Sequence, residues 1–517
     1  MIKNIKWLLL VSLTVVACSE KNDDVVVNNT SDGLPLTSGT ADFSKYVSVG
    51  NSLTSGYSDG ALFIEGQKGS YPAILADQFS KVGGGEFKIP FTADNIGGLL
   101  FGGTQIQGPR LYFNGTGPAP VSGTITTEIT NHLTGPFNNM GVPGAKSFHL
   151  LAPGYGNPAG VLTGQANPYY VRFASSNTAT IIGDATAQNP TFFSLWIGNN
   201  DVLSYATSGG TGVNQLANLN PATYGPNDIT NTNVFANVYS QLVTSLTGGG
   251  AKGVLANIPY VTSVPFFTTV PTDAIPGLPV ASAGQLNQLF GGINAALTAN
   301  GLPTRFQTLV ADDGNPTTIE KNPLLIKDES LLNISAQITA ALTPTLGAQT
   351  AGYLGSIYGQ ARHATNAMAT KDYILLTART IIGTTQSGAP SPFNTIGVSY
   401  PMQDNTTLTA VETAEVKTAT DAFNATIQAL ATSKGLAFVD ANAVLNQVAT
   451  TGYTANSFNV TSTYVTGGGF SLDGVHPSPR GYALIANKFL EAINLTYGSN
   501  FKAVNLGLYR ILFPAML

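Results

Sequence analysis

Val47-Ser48-Val49-Gly50-Asn51-Ser52-Leu53-Thr54-Ser55-Gly56 passes from β-branched, apolar residues behind Tyr46 into small residues that turn easily. Its first half predicts a buried strand and its second half a sharp turn at the strand's carboxyl end. In open α/β sheets ligands bind at that edge. Ser52 then has two readings: a nucleophile held at the rim of a sheet, or an ordinary turn serine. Whether the chain also supplies a base, and donors for an oxyanion, decides between them.

Further along, Thr191-Phe192-Phe193-Ser194-Leu195-Trp196-Ile197 predicts a second buried strand, ending abruptly in Gly198-Asn199-Asn200-Asp201. The pattern over 234–246 predicts a helix, with Phe235, Val238, Leu242 and Val243 on one face. Val254-Leu255-Ala256-Asn257-Ile258 follows as a strand, and Leu436-Ala437-Phe438-Val439-Asp440 is the last clear one. Strand, helix, strand in this order predicts βαβ units and a parallel sheet. Helices are also expected over 70–79, with Ser70 as N-cap, and over 409–431, with Glu412, Glu415 and Lys417 outward. A helix over 481–493 closes the core. Residues 138–150 read as a turn opening a short helix. Two stretches, about 83–137 and 261–400, depart from simple alternation and read as insertions, the first with room for a hairpin or two.

The chain has 517 residues, of which 43% are hydrophobic and only 10% charged. Length alone suggests about two to four domains. A net charge of −5 leaves no basic footprint for nucleic acid. Lys3 and Lys6 precede an apolar run over 7–16, too short to span a bilayer and suited to a secretory signal. It leads into Val15-Val16-Ala17-Cys18, which resembles a bacterial lipobox. That resemblance implies a signal peptide over 1–17, lipidation at Cys18 and a membrane anchor. The alternative is an ordinary secretory signal with an incidental cysteine. Cys18 is the only cysteine, so no disulfide and no cysteine metal site is expected. The acidic Ser19-Glu20-Lys21-Asn22-Asp23-Asp24 resembles signals that send lipoproteins to the outer cell surface, so an outer-membrane lipoprotein is expected. Residues 18–41 read as a tether and 42–517 as one domain with insertions.

An activated serine needs a base within about 3 Å and a group that orients the base. Of four histidines, His132, His149 and His363 lack an acid three residues earlier, and His363 lies in an Ala-rich segment read as helical. Asp473-Gly474-Val475-His476-Pro477 differs: one loop carries both base and carboxylate, and Gly474 and Pro477 forbid a stable helix there. Its other reading is a capping loop. Asn200 and Gly144 are candidate oxyanion donors, one by its amide and one by its backbone N–H.

Gly50-Asn51-Ser52-Leu53, Gly144, Gly198-Asn199-Asn200-Asp201 and Asp473-Gly474-Val475-His476 occur in the order of the four signature blocks of the SGNH/GDSL hydrolases, which the chain resembles. The resemblance implies Ser52 as nucleophile, His476 as base and Asp473 as its orienting acid. It also implies an oxyanion hole of Ser52 N–H, Gly144 and Asn200. The fold it implies is a flavodoxin-like three-layer α/β/α arrangement with about five parallel strands. No HExxH motif or paired histidines suggest zinc, and no cofactor or metal is expected. Asn51 departs from the family, which has Asp there. The stretch also lacks the second glycine of the G-x-S-x-G elbow of α/β-hydrolases. Since Ser52 and His476 must meet, one catalytic domain is expected to span most of the chain. The expected activity is a lipase or esterase acting on small-molecule or lipid esters. An O-acetyl esterase of polysaccharide, and a surface binding protein on a vestigial hydrolase core, stay open beside it. Tyr57, Phe63, Tyr112 and Phe113 are candidates to line an acyl groove or a sugar platform. Gly248-Gly249-Gly250 and Gly467-Gly468-Gly469 lack the Lys of a phosphate loop, and Asp312-Asp313-Gly314 is too short for a calcium loop.

Overall fold

A computed structural model describes residues 35–517. The predicted signal segment, Cys18 and the tether up to residue 34 lie outside the described residues. Five strands form the central sheet: β1 (Tyr46–Gly50), β2 (Asn139–Gly141), β3 (Phe192–Trp196), β4 (Lys252–Ala256) and β5 (Ala437–Val439). All pair in parallel, in the spatial order β2-β1-β3-β4-β5. Every residue of β1 and β3 is buried, as continuous apolar runs require when both faces of a parallel sheet are covered.

The covering helices are α1 (Tyr71–Ser80), α2 (Ile181–Thr186), α3 (Asn200–Thr207), α4 (Thr232–Thr247), α5 (Ala410–Lys434), α6 (Ala441–Thr450) and α7 (Pro479–Tyr497). On one face α1 packs against α7; on the other α4 packs against both α2 and α5. The three-layer α/β fold expected from the sequence is the fold observed. Asn231 starts α4 by accepting from the N–H groups of Asn233 and Val234, and α5 starts at a Thr409–Glu412 capping box and stops at Gly435, with φ +62°.

The chain runs from β1 outward to β2, then back across β1 to β3. The sheet's direction of growth therefore reverses between β1 and β3, and ligands of such sheets bind outside the carboxyl ends at that reversal. Ser52 follows β1 there and Asn200 follows β3.

Four local expectations are corrected. Asn139–Gly141 is not the approach to a helix but the edge strand β2, paired with Ser48–Gly50. The helical residues begin only at a 3₁₀ turn, Ser147–Leu151. Ser70 precedes α1, but its hydroxyl makes no cap and is buried without a partner. Glu412 does not face outward: it is 4% exposed, because its carboxylate turns back to cap α5. His363 lies in a short strand, Ala361–His363, not in a helix. At the end of the segment read as a tether, Thr37 N–H donates to Asn500 Oδ1 and Thr40 N–H to the Tyr497 carbonyl, each at 2.8 Å.

The first insertion carries two ribbons, Leu99–Phe101 with Thr104–Gln107 and Leu111–Phe113 with Pro118–Pro120. Fully buried Arg110 lies between them and donates to the Asn95, Pro514 and Ala515 carbonyls at 2.8–3.0 Å, which pins the last residues to this insertion. The second insertion holds the helices Val280–Ala299 and Ser335–Tyr358, the latter broken at Gly347, and buries two apolar clusters of its own. Among the described residues no helix is long and apolar enough to cross a membrane.

Gly50 ends β1 where a Cβ would collide with Thr54 Oγ1 and the Trp196 carbonyl oxygen. Gly50→Ala should cost roughly 1–3 kcal/mol in denaturant unfolding. Gly249→Ala, with nothing within 4 Å of the added carbon, should change stability by under about 0.5 kcal/mol.

Candidate active site

Ser52 opens a single helical turn, Ser52–Ser55, directly after β1. Asn51 is its N-cap: Asn51 Oδ1 accepts from Leu53 N–H at 3.0 Å, and Asn51 Nδ2 donates to Asn199 Oδ1 at 3.1 Å. Both side chains are buried. The departure from Asp at position 51 thus has a local reason, because an amide can cap the turn and still donate to Asn199, whereas a carboxylate only accepts. This pair ties the turn after β1 to the turn after β3.

Gly144 follows β2 at φ +81°, where a side chain would be strained. Asn200 Nδ2 donates to the Ala145 carbonyl at 2.9 Å, so the amide just past β3 is held on the turn after β2. Asn167 Nδ2 braces that turn through the Pro143 carbonyl at 2.8 Å. Asp201, wholly buried, accepts from Ser147 N–H at 2.8 Å and Ser147 Oγ at 2.7 Å. Burial raises its carboxyl, while these bonds partly offset the rise. Among the described residues neither Ser52 N–H nor Gly144 N–H donates to another protein group, so both stay available.

His476 and Asp473 come from one closed loop just before α7, in which Ser471 N–H donates to the His476 carbonyl at 2.8 Å. Asp473 Oδ1 accepts from Val475 N–H and His476 N–H, both at 2.8 Å. Asp473 Oδ2 meets His476 Nδ1 and Gly60 N–H, both at 2.9 Å. Burial pushes this carboxyl up, but the facing His476 and the bonds from His476 and Val475 outweigh it and hold it at about 2. An ionised carboxylate only accepts, so Nδ1 carries the proton and Nε2 is left as the acceptor. The His476 ring lies 4.6 Å from that of Tyr57, which fixes its other side.

Ser52, Asn200 and His476 line one cleft, whose remaining wall is almost wholly apolar and includes Leu53, Val264, Leu445, Val448, Phe470 and Ile485. Ser52 Oγ and His476 Nε2 have no hydrogen-bond partner among the described residues. Such bonds often tighten only when a substrate binds. Tyr57, Phe63, Tyr112 and Phe113 do not line the cleft. Tyr57 instead supports His476, and Phe63 is buried beneath Arg110.

The other histidines are structural. Burial lowers His149 to about 3 and His363 to about 4, and the Nδ1 of each accepts a backbone N–H, from Lys146 and Gln307. His132 Nε2 contacts the Ala174 carbonyl at 2.8 Å.

Asp59 escaped the sequence reading. It adopts φ +53°, its N–H donates to Ser471 Oγ, and its Oδ1 accepts from Leu472 N–H at 2.8 Å. It therefore clamps the loop that carries Asp473 from the far side. Only its place two residues past Tyr57 hinted at this, since its partners lie some 410 positions away. Comparison of the chain with family models, curated proteins and solved structures finds no match.

The two carboxyls predict opposite pH dependences. Asp473, lowered to about 2, contributes stability that is full above about 4 and lost as pH falls toward 2. Asp59 is raised to about 7, chiefly by burial and further by Asp473. Its proton is held longer folded than unfolded, so its contribution is full below about 4 and lost as pH rises to about 7. Asn tolerates the same positive φ. Asp59→Asn should therefore raise Tm relative to the parent more at pH 8 than at pH 5, measured by calorimetry across that range.

Proposed function

We propose that this chain is a serine hydrolase of carboxylic esters, of the SGNH/GDSL kind, that prefers substrates with a long apolar acyl chain. The observation that carries the reading is the Asp473–His476 pair at 2.9 Å. It sits on the rim of an apolar cleft into which Ser52 and Asn200 also open. In the proposed mechanism His476 Nε2 takes the Ser52 hydroxyl proton as Oγ attacks the ester carbonyl. The imidazolium so formed is stabilised by the Asp473 carboxylate. The tetrahedral oxyanion is met by Ser52 N–H, Gly144 N–H and the Asn200 amide. His476 then gives its proton to the leaving alcohol, and an acyl-Ser52 ester remains. Water, activated by the same imidazole, attacks that ester, releases the carboxylic acid and restores the Ser52 hydroxyl.

The cleft's composition favours a fatty acyl group over an acetyl group, and with it a lipase or esterase over a polysaccharide O-acetyl esterase. The cleft passes from Ser52 along Leu445 and Val448 of α6 and Leu484 and Ile485 of α7. Each buried methylene contributes about 0.8 kcal/mol. We further propose that Cys18 is lipidated and that the enzyme is an outer-membrane lipoprotein, working beside acyl esters of the envelope.

Ser52→Ala should lower turnover on a nitrophenyl ester by about 10⁵–10⁶-fold and Asn200→Ala by about 10²–10³-fold. An active Ser52→Ala protein would sink the mechanism. Across nitrophenyl esters, kcat/KM should rise roughly fourfold per added methylene until the cleft is full. A maximum at acetate, with release of acetate from acetylated xylan, would favour the O-acetyl esterase instead. Metabolic labelling with a fatty-acid analogue should mark the parent and not Cys18→Ala.

A further inference from the structure

Three carboxyl groups from separate segments meet where the second insertion packs on the start of α5. Glu329, Asp404 and Glu412 each offer an oxygen, and these atoms lie within 4.8 Å of one another. Glu412 is 96% buried by its 4% exposure. Its Oε2 accepts from Thr409 N–H at 2.6 Å and from Thr409 Oγ1 at 2.9 Å, which completes the cap of α5. Its Oε1 is buried and receives no bond from a backbone, hydroxyl or basic donor; the Glu412 carboxyl meets that of Glu329, which also meets Asp404, so a proton or a cation must lie among the three. Twelve buried side-chain polar atoms lack a partner among the described residues, and four of them fall between 404 and 413: Asp404 Oδ1, Thr407 Oγ1, Glu412 Oε1 and Thr413 Oγ1. Buried acceptors are ordinarily satisfied, and two of these, Asp404 Oδ1 and Glu412 Oε1, belong to the carboxyl cluster itself, which points to a missing partner there.

No basic side chain fills that role. Among the described residues none of the three carboxyls forms an ion pair. Neighbouring Asp328 is answered by Arg362 at 2.6 Å, and the same guanidinium takes Asp372 at 2.6 Å. Lys327 acts on Asp404 only at longer range.

We propose that Glu329, Asp404 and Glu412 form a binding site for a hard divalent cation, with calcium preferred. The donors are all oxygen, which suits calcium, magnesium or manganese and not the softer transition metals. Three carboxylates on one ion suit calcium, which takes about six to eight oxygens, better than magnesium, which is usually held by one or two carboxylates and keeps several waters. The three oxygens lie within 4.8 Å of one another, near enough to share one ion. Glu329 is exposed and leaves an entry path for the ion and for water ligands.

The bound ion joins the insertion, through Glu329 and Asp404, to the start of α5 through Glu412. Gly210 lies against Glu412, where a Cβ would collide with its carboxyl, so the site also abuts the segment that leaves α3, the helix Asn200 begins. Asp312, Asp313 and Glu320 also come together, but at the surface. Asp312 and Asp313 there accept from the Gly314 and Asn315 N–H groups of their own turn, and nothing buried points at them. That cluster serves as the control.

The test uses the full chain after treatment with a chelator, with calcium or magnesium added back. Calcium at a hundredfold excess over its Kd should raise Tm by roughly 3–5 °C, and magnesium less. Terbium should luminesce under tyrosine excitation, because Tyr205 lies within range of the Glu412 and Glu329 charges. Glu412→Gln and Asp404→Asn should fold, keep ester hydrolysis and lose both signals, while Asp313→Asn keeps them. Two results would overturn the site. One is a parent Tm that ignores calcium while Glu412→Gln raises it in chelator at pH 8, which would mean that the carboxyls share protons. The other is a calcium shift that survives in both Glu412→Gln and Asp404→Asn.

Discussion

Four donors converge on the Asp473 carboxylate, and one of them, Gly60 N–H, comes from the opposite end of the chain, 413 positions away. An ionised carboxylate with little access to water must find its donors in the protein, and here it can do so only when the loop over 57–60 and the loop over 471–477 are in contact. The requirement closes the fold. Asp59 grips the second loop at Leu472 and Ser471, Ser58 Oγ reaches the Pro477 carbonyl at 3.2 Å, and Tyr482 O–H reaches the Tyr57 carbonyl at 2.7 Å. The entropy of closing a flexible loop grows only by about 0.6 kcal/mol per doubling of its length. A long insertion between β4 and β5 is therefore cheap, provided it buries its own apolar residues, as this one does.

Much of this was legible in the sequence, and the reason is physical. β1, β3, β4 and α4 announce themselves because burial on both faces, or on one helical stripe, forces a continuous or a 3.6-periodic apolar pattern. β2 does not, because Asn139-Met140-Gly141 has no β-branched residue and becomes a strand only by pairing with β1. Glu412 was misplaced for a similar reason. A helical pattern reads a glutamate as solvent-facing, but three residues after a threonine cap it turns back on the backbone. His363 followed an Ala-rich segment and looked helical, yet its pairing with Leu325 makes it a strand residue.

At the site, Ser52, Asn200, Asp473 and His476 were legible because each sits at the end of a strand or in a loop that cannot be helical. The structure brings all four to one cleft or its rim. Tyr57, Asp59, Asn199 and Asp201 were not legible as supports, since their roles depend on partners 54 to 413 positions distant or on a ring packed across the fold. The aromatics expected in the cleft went elsewhere: its aromatic residues are Trp196, Phe470 and Phe489, and Tyr57 and Phe63 are used to hold the loops that carry the charged groups.

The account turns on whether Ser52 is activated by the Asp473–His476 pair across the cleft. A fluorophosphonate reads that directly, because it leaves a covalent phosphonate only on a hydroxyl whose proton a neighbouring base removes. Intact-mass analysis followed by peptide mapping should find one adduct per chain, on Ser52, formed rapidly in the parent and lost in His476→Ala, in which the fold is retained by circular dichroism. A folded parent that takes no adduct, or an adduct on Ser52 that forms equally fast without His476, would contradict it.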